Sequence, residues 1–250
     1  MSPLLSITGL THRFGDLTAL AGINLELAEG DRHAIVGANG AGKTTLLGLV
    51  AGTIRPPTAG RLHFGGRDIT RLDPARRARA GIARTFQTPH LVDAATAVDN
   101  LVLAAWRHTG GRAAWAPVRY RRLAAAARRQ LADLDLAACA DRPAGTLAHG
   151  QRRLLELAVA LAGRPRLLLL DEPAAGLGPH DHQRLLAALR QLPPAVAVLL
   201  VDHHLAIVSA LDADVTVLTD GQVAMHGPAR DVLTQPAFRT AYLRTATVVT

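Results

Sequence analysis

Apolar and polar residues alternate in the first part of the chain. Leu4 to Thr8 and Ile23 to Leu27 each put apolar side chains on one face, the pattern of a half-buried strand, and the second ends at a Glu29-Gly30 turn. Leu62-His63-Phe64 predicts another strand, running into Gly65-Gly66. Three segments are apolar without a break: Ala34 to Val36, Leu167 to Leu170 and Val196 to Val201. They are of strand length and predict strands covered on both faces, as in a parallel sheet. The remaining apolar spacing is helical. Leu46 to Val50 predicts a helix after a glycine-rich turn, and Asp73-Pro74 supplies an N-cap and a first-turn proline for another. Helix formers dominate from Thr88 to Ala162, with Val98 to Trp106 and Arg119 to Leu136 separated by Gly110-Gly111. His182 to Leu192 is helical and stops at Pro193-Pro194. Val215 to Leu218, Asp220-Gly221 and Gln222 to Met225 predict a hairpin with an Asp-Gly turn.

Strands alternating with helices predict an α/β fold with a mostly parallel sheet, a small antiparallel β part and an inserted helical lobe. The expected division is a single domain over 1–250. Its α/β core with the antiparallel part spans 1–87 and 163–235, the helical subdomain 88–162, and a C-terminal tail 236–250.

Composition narrows the class. Of the 250 residues 49% are hydrophobic but only 3% aromatic, so the core must be built from Leu, Val and Ala. The single cysteine, Cys139, excludes an internal disulfide and reads as a small buried apolar side chain. No run reaches the roughly 18 apolar residues that span a bilayer, and the N-terminus lacks the pattern of a signal peptide, so a cytoplasmic chain is expected. The net charge of +8 permits an anionic partner. Much of it is arginine on alanine-rich helical stretches, however, and the run Arg119 to Arg122 with Arg128-Arg129 reads as a solvated helix face, with a lipid-headgroup or partner contact as the alternative.

The chemistry concentrates in Gly37-Ala38-Asn39-Gly40-Ala41-Gly42-Lys43-Thr44-Thr45. The stretch fits the phosphate-binding loop G-x-x-x-x-G-K-[ST] in its required setting, after a strand and before a helix. Glycines let backbone N–H groups turn toward an oxyanion, and the helix N-terminus adds further donors. Lys43 supplies a point charge for the terminal phosphates of a nucleotide and Thr44 a hydroxyl for Mg²⁺. Asp171-Glu172 closes the Leu167–Leu170 strand, at the strand end where α/β sheets bind ligands. Asp171 could hold the metal and Glu172 polarise a water. His203 follows the Val196–Val201 strand and could face the same crevice; His204 would point elsewhere if the chain is extended there. His180-Asp181-His182 lacks the further ligands of a metal site. Leu147-Ala148-His149-Gly150-Gln151 opens a helix and forms a second start rich in free N–H groups. Both starts serve one nucleotide within a chain, or each serves a partner's nucleotide across a dimer.

With these residues in this order the chain resembles the nucleotide-binding subunit of an ABC transporter, over roughly Leu4 to Leu243. Phe14 sits where an aromatic stacks on adenine. Gly37 to Thr45 matches Walker A, Gln87 in Arg84-Thr85-Phe86-Gln87 the Q-loop, and Leu147 to Gln151 the signature. Leu167 to Asp171 matches Walker B, Glu172 the catalytic carboxylate, Ala175 to Gly178 the D-loop and His203 the switch histidine. The resemblance implies a P-loop ATPase core binding ATP and Mg²⁺, the metal held by Thr44, Gln87 and Asp171. It implies a head-to-tail dimer with a like or unlike ATPase subunit, in which Ala148, His149, Gly150 and Gln151 reach the partner's ATP. It also implies transmembrane permease subunits, a substrate-binding protein acting through them, a peripheral place on the inner face of the cell membrane, and no direct contact with nucleic acid. Two positions depart from the pattern: Ala148 stands where serine is usual, and Gly178 where aspartate is common. Within the family the resemblance is to the importers of branched-chain amino acids and their urea or amide relatives. It rests on Gly81 to Gln87, Asp171 to Leu177 and Ala241-Tyr242-Leu243, together with the long stretch between Trp106 and Arg129. The ATPase of a lipid-type exporter, or a soluble relative acting on nucleic acid, are the alternatives.

Overall fold

The computed structural model describes residues 3–85, 90–106, 117–202 and 204–238. The chain divides into two compact units, one of residues 1–82, 166–172 and 193–250, the other of residues 83–165 and 173–192.

The first unit contains an antiparallel sheet and most of a larger mixed sheet. β1 (Leu5–Phe14) and β2 (Leu17–Leu27) are longer than the alternating pattern predicts. Their pairing is interrupted by register shifts, one of them between Ile7 and Leu10, where Gly9 turns to φ +58°. Such bulges break the strict alternation that reveals a strand in sequence, which is why Thr11 to Phe14 were not legible. β4 (Ala59–Phe64) pairs with β1 and the short β5 (Arg67–Asp68) with β4, giving the order β2-β1-β4-β5.

The larger sheet has the order β10-β9-β3-β8-β7-β6, from β3 (Arg32–Gly37), β6 (Ile82–Arg84), β7 (Leu167–Asp171), β8 (Ala197–Val201), β9 (Asp214–Thr219) and β10 (Gln222–Pro228). β7, β8, β3 and β9 run parallel; β10 returns antiparallel through Asp220-Gly221, the predicted hairpin. Every residue of β7 and β8 is buried, as expected of strands covered on both faces. The core of this unit joins Leu5, Ile7 and Leu10 of β1, Ile23 and Leu25 of β2, Ile35 of β3, and alternate residues of β7 and β8 to one helix, α1 (Lys43–Ala51), which contributes Leu46, Leu47, Leu49 and Val50.

The far end of α1 is closed by Gly52, whose N–H donates to the Leu49 carbonyl at 3.3 Å, and by one side chain. Arg77, in α2 (Pro74–Ala80), is buried. Its guanidinium donates to the carbonyls of Leu72 (2.9 Å), Val50 (2.9 Å), Thr70 (3.1 Å) and Leu49. Leu49 and Val50 lie in the last turn of α1, where carbonyls have no partner further along the helix. Burial holds the Arg77 pKa down to about 10, against the opposing pull of Asp68.

The second unit is helical, with α3 (Ala97–Trp106), α4 (Pro117–Asp133), α5 (His149–Ala162) and α6 (Pro179–Arg190). Asn100, buried in α3, donates to the carbonyls of Thr96 (2.9 Å) and Val92 (3.2 Å) and accepts from the Val92 N–H at 2.8 Å, fastening the entry segment to the helix. Gln130 of α4 donates to the Ala158 carbonyl of α5 at 2.7 Å. Cys139 is buried, as its apolar reading requires. No described helix is long and apolar enough to cross a membrane.

A polar relay runs from the buried His33 of β3 through the buried Thr216 of β9 to the exposed His226 of β10. His33 Nε2 lies 2.8 Å from Thr216 Oγ1, which lies 3.0 Å from His226 Nδ1, and the two imidazoles stack at 5.5 Å. Burial, helped by the charge on His226, pushes the His33 pKa down from 6.5 to about 3. Native His33 stays neutral where the unfolded chain takes up a proton, so its contribution is complete above pH 6.5 and is lost as the pH falls toward 3. Urea unfolding between pH 7 and pH 5 should show stability falling with acid, His33 adding a slope of up to about 1.4 kcal/mol per pH unit, and His33→Gln should remove that increment. Arg77→Met should cost about 2–4 kcal/mol in the same assay, because it removes the donor that serves the Val50, Leu72 and Thr70 carbonyls.

Candidate functional site

The parallel strands bring their carboxyl ends together. Asp171 of β7 pairs with Val201 of β8, and Val201 with Ile35 of β3, two residues before Gly37. The loop after β3, the Asp171-Glu172 corner and Asp202 therefore gather at one edge of the sheet, where ligands of α/β folds bind.

The loop from Gly37 to Gly42 is shaped by backbone that only glycine adopts easily. Gly42 (φ +98°) caps α1 without a side chain, and a Cβ there would lie 2.6 Å from the Ala19 carbonyl oxygen. Gly37 (φ +153°) would bring a Cβ to 2.3 Å from the Leu218 carbonyl oxygen. Ala41 N–H donates to Ala38 at 3.1 Å, closing the turn over which Asn39 and Gly40 are exposed. Since no side chain caps α1, its first turn keeps N–H groups for a ligand. Thr44 is exposed in this turn and Thr45 half-buried.

Lys43 folds back into the loop. Its ammonium donates to the carbonyls of Gly37 and Ala38, both at 2.7 Å. Burial lowers its pKa, while the carboxylates of Glu172 and then Asp171 pull it upward. The ammonium thus stands in a field set by Asp171 at the end of β7 and Glu172 just after it. Bound polyphosphate would favour its charged form far more than carbonyl dipoles do.

Asp171 is buried at the end of β7. Glu172 turns into the left-handed region at φ +46°, a conformation that costs a non-glycine residue of order 1 kcal/mol and persists where neighbours over-determine it. One neighbour is β8: the Glu172 N–H donates to the Val201 carbonyl at 2.7 Å. Asp202, fully buried, accepts from the His204 N–H at 2.8 Å and from the His204 ring Nδ1 at 2.9 Å, so Nδ1 carries the proton. His204 is thereby turned back onto its own strand end. Gln87 and His203 lie outside the described residues. Phe14, at the end of β1, is 50% exposed, an open aromatic face backed edge-on by His12 at 4.6 Å.

The other sequence-predicted residues belong to the second unit. Ala148 is the N-cap of α5 and makes no side-chain cap, but its N–H donates to Gln151 Oε1 at 3.0 Å. Gln151 therefore keeps one half of a capping box whose other half needs a hydroxyl. His149 and Gly150 open the helix. Gly178 is the N-cap of α6, followed by proline in the first turn. Asp181 of the His180-Asp181-His182 trio pairs with Arg184 at 3.3 Å, and the described residues hold no group of three or more candidate ligands for a metal.

Arg77 and Asp202 were not singled out by sequence, and His204 was expected only to point away from the crevice. Arg77 sits among Arg76 and Arg79 on one short helix, and nothing in the string separates the buried guanidinium from its solvated neighbours. Asp202 had a usable signal, an acid directly after a continuous apolar strand, the same pattern that marked Asp171.

Residues 20–175 match the family model described as ABC transporter. The chain is 37% identical to the high-affinity branched-chain amino acid transport ATP-binding protein BraF of Pseudomonas aeruginosa, over 96% of this chain and 98% of that one. It is 32% identical, with the same coverage, to LivG of Salmonella typhimurium, which carries the same description. It also matches the ribose import ATP-binding protein RbsA of Burkholderia mallei at 38% identity, over 89% of this chain but 43% of that longer one. Among solved structures, the ADP conformation of MJ1267, an ATP-binding cassette of an ABC transporter, superimposes with a TM-score of 0.83 at 28% identity, covering 97% of this chain and 99% of that one. The matched span includes the loop around Lys43, the start of α5 and the Asp171-Glu172 corner, and on that ground the chain belongs to the ABC transporter family as an ATP-binding cassette.

Proposed function

We propose that this chain is the ATP-hydrolysing subunit of a membrane importer for branched-chain amino acids or related small polar or amide molecules. One observation carries the chemical half: a buried ammonium held by loop carbonyls within the field of two acids at the end of a buried strand, the second of them in a strained conformation. The transport half is supported by likeness to BraF and LivG along nearly the whole chain.

The residues divide the work of ATP + H₂O → ADP + phosphate. Adenine stacks on the exposed face of Phe14. The β- and γ-phosphates take the place of carbonyls as partners of Lys43 and collect N–H donors from the loop and the first turn of α1. Glu172 accepts a proton from the attacking water, or orients it; the water oxygen bonds to the γ-phosphorus as the bond from that phosphorus to the bridging oxygen breaks, which leaves ADP in the loop and frees phosphate. Catalysis is then positioning and electrostatics. Mg²⁺ fits the oxygen donors on hand, the Thr44 hydroxyl and the buried Asp171 carboxylate, and would neutralise charge on the phosphates. By the resemblance, Gln87 would help hold the metal and His203 would meet the γ-phosphate.

Two chains, like or unlike, pack head to tail. The start of α5 in one, at Ala148 to Gln151, meets the ATP held by the other, with Gly150 N–H and helix-terminal donors serving where Ala148 lacks a hydroxyl. The lost neutral hydrogen bond is of order 0.5–1.5 kcal/mol, too little to silence the site. Closure on ATP drives permease subunits that hold the chain on the inner face of the membrane and receive substrate from a binding protein.

Lys43→Ala should abolish turnover and weaken ATP binding at least about tenfold, measured by nucleotide titration and phosphate release. Glu172→Gln should bind ATP normally, lower turnover about 100-fold or more and favour the ATP-bound dimer in size-exclusion chromatography; parental turnover would remove Glu172 from the base role. Glu172→Gly should be as inactive yet up to about 1 kcal/mol more stable than Glu172→Gln, since it releases the left-handed strain. In proteoliposomes with cognate permeases, a binding protein loaded with leucine, isoleucine or valine should stimulate the ATPase. Stimulation by another substrate class alone would refute the substrate reading.

A further inference from the structure

We propose that His149 is a positioning residue that ties the loop following Glu172 to the start of α5 within the same chain. The inference rests on the reading of Glu172 as the residue that handles the water.

His149 is the first residue of α5 and its ring is exposed, so burial does not explain its place. Its Nε2 lies 3.4 Å from the carbonyl oxygen of Ala175. A carbonyl only accepts, so Nε2 carries the hydrogen. The ring sits on the turn closely enough that a Cβ on Gly176 would come within 3.2 Å of the same nitrogen, and Gly176 itself takes φ +74°. The next residue of the helix is seated as tightly. A Cβ on Gly150 would lie 2.0 Å from Asp181 Oδ2, while Asp181 Oδ1 is held by Arg184 at 3.3 Å, and Arg184 is anchored by the Asp135 carbonyl at 2.6 Å. Two consecutive residues at the start of α5 therefore rest on the segment that runs from Glu172 into α6. His149 makes the directional contact, and Gly150 permits the close approach.

The contact bears on the strain at Glu172. A left-handed glutamate returns to an ordinary conformation unless the chain is held on both sides. Before it stands strand β7, and its own N–H is bound by Val201. After it comes the turn Ala174 to Leu177, closed by the Leu177 N–H on the Ala174 carbonyl at 3.1 Å. His149 adds an anchor to that turn from outside it, three residues past Glu172. The same anchor makes the start of α5 and the loop move as one piece, so a displacement of one is felt by the other.

The test compares His149→Phe, which keeps a ring but has no donor, with His149→Gln, whose amide nitrogen reaches a similar distance. In the full chain, His149→Phe should lower kcat for ATP about 5- to 10-fold, and His149→Gln, which restores the donor at a residue that also meets a partner's ATP, should be at least about twofold faster than His149→Phe. Amide exchange over residues 174–178 should speed up about tenfold in His149→Phe and stay near parental in His149→Gln. Parental exchange in His149→Phe, or identical behaviour of the two variants, would overturn the tether. Faster exchange with unchanged kcat would overturn its link to Glu172. Failure of the ATPase reading shows separately, as absent turnover in the parent chain, and the exchange comparison still decides the tether.

Discussion

The Lys43 ammonium is enclosed by a loop whose own carbonyls hold it, 2.7 Å from Gly37 and from Ala38. Much else follows from that enclosure. A cation partly stripped of water needs oxygen around it, and carbonyl dipoles supply enough to keep it in place without saturating it. The loop can wrap the ammonium only because glycine at positions 37 and 42 lets the backbone pass against the Leu218 and Ala19 carbonyls. The same path leaves the first turn of α1 uncapped. Cation and free N–H groups thus meet at one place, which is what a chain of phosphates requires.

Holding that place still demands order further away. α1 starts at the loop and ends on Arg77, whose guanidinium closes the last turn at Leu49 and Val50. Burial lowers the Lys43 pKa; the carboxylates that oppose it, Glu172 and Asp171, sit at the end of β7, and Glu172 is held in a conformation it would leave if released. Rigid strands set the position, a buried arginine helps fix the helix, and Glu172 at the strand end carries local strain. This division matches a reaction in which the protein contributes placement and charge and little covalent chemistry.

In the helical unit a different logic operates. The start of α5 has no hydroxyl at its cap, and Gln151 holds the Ala148 N–H. Seating comes instead from His149 on the Ala175 turn and from Gly150 against Asp181. The acid that looked in sequence like part of a His-Asp-His cluster is a packing surface for glycine, held by Arg184. Composition at positions 180–182 suggests ligands; the helix that carries them turns the acid to another use.

Most of the fold was legible because its signals are local. Continuous apolar runs marked β7 and β8, the Asp-Gly pair marked the β9–β10 hairpin, and the glycine loop marked the turn between β3 and α1. Spacing alone determines such features, since backbone geometry and burial impose them residue by residue. The far half of β1 was hidden by a bulge, and Arg77 by the exposed arginines beside it. The left-handed turn at Glu172, the orientation of His204 by Asp202, the neutral His33 and the seat of His149 depend on groups from 2 to 193 residues away in the chain, in contacts such as His204 with Asp202 and His33 with His226. Pattern along the chain determined which segments become strands, helices and glycine turns. Only tertiary structure decided which polar side chains are stripped of water and which strained backbones are held, because desolvation and restraint come from neighbours that the order of residues does not name.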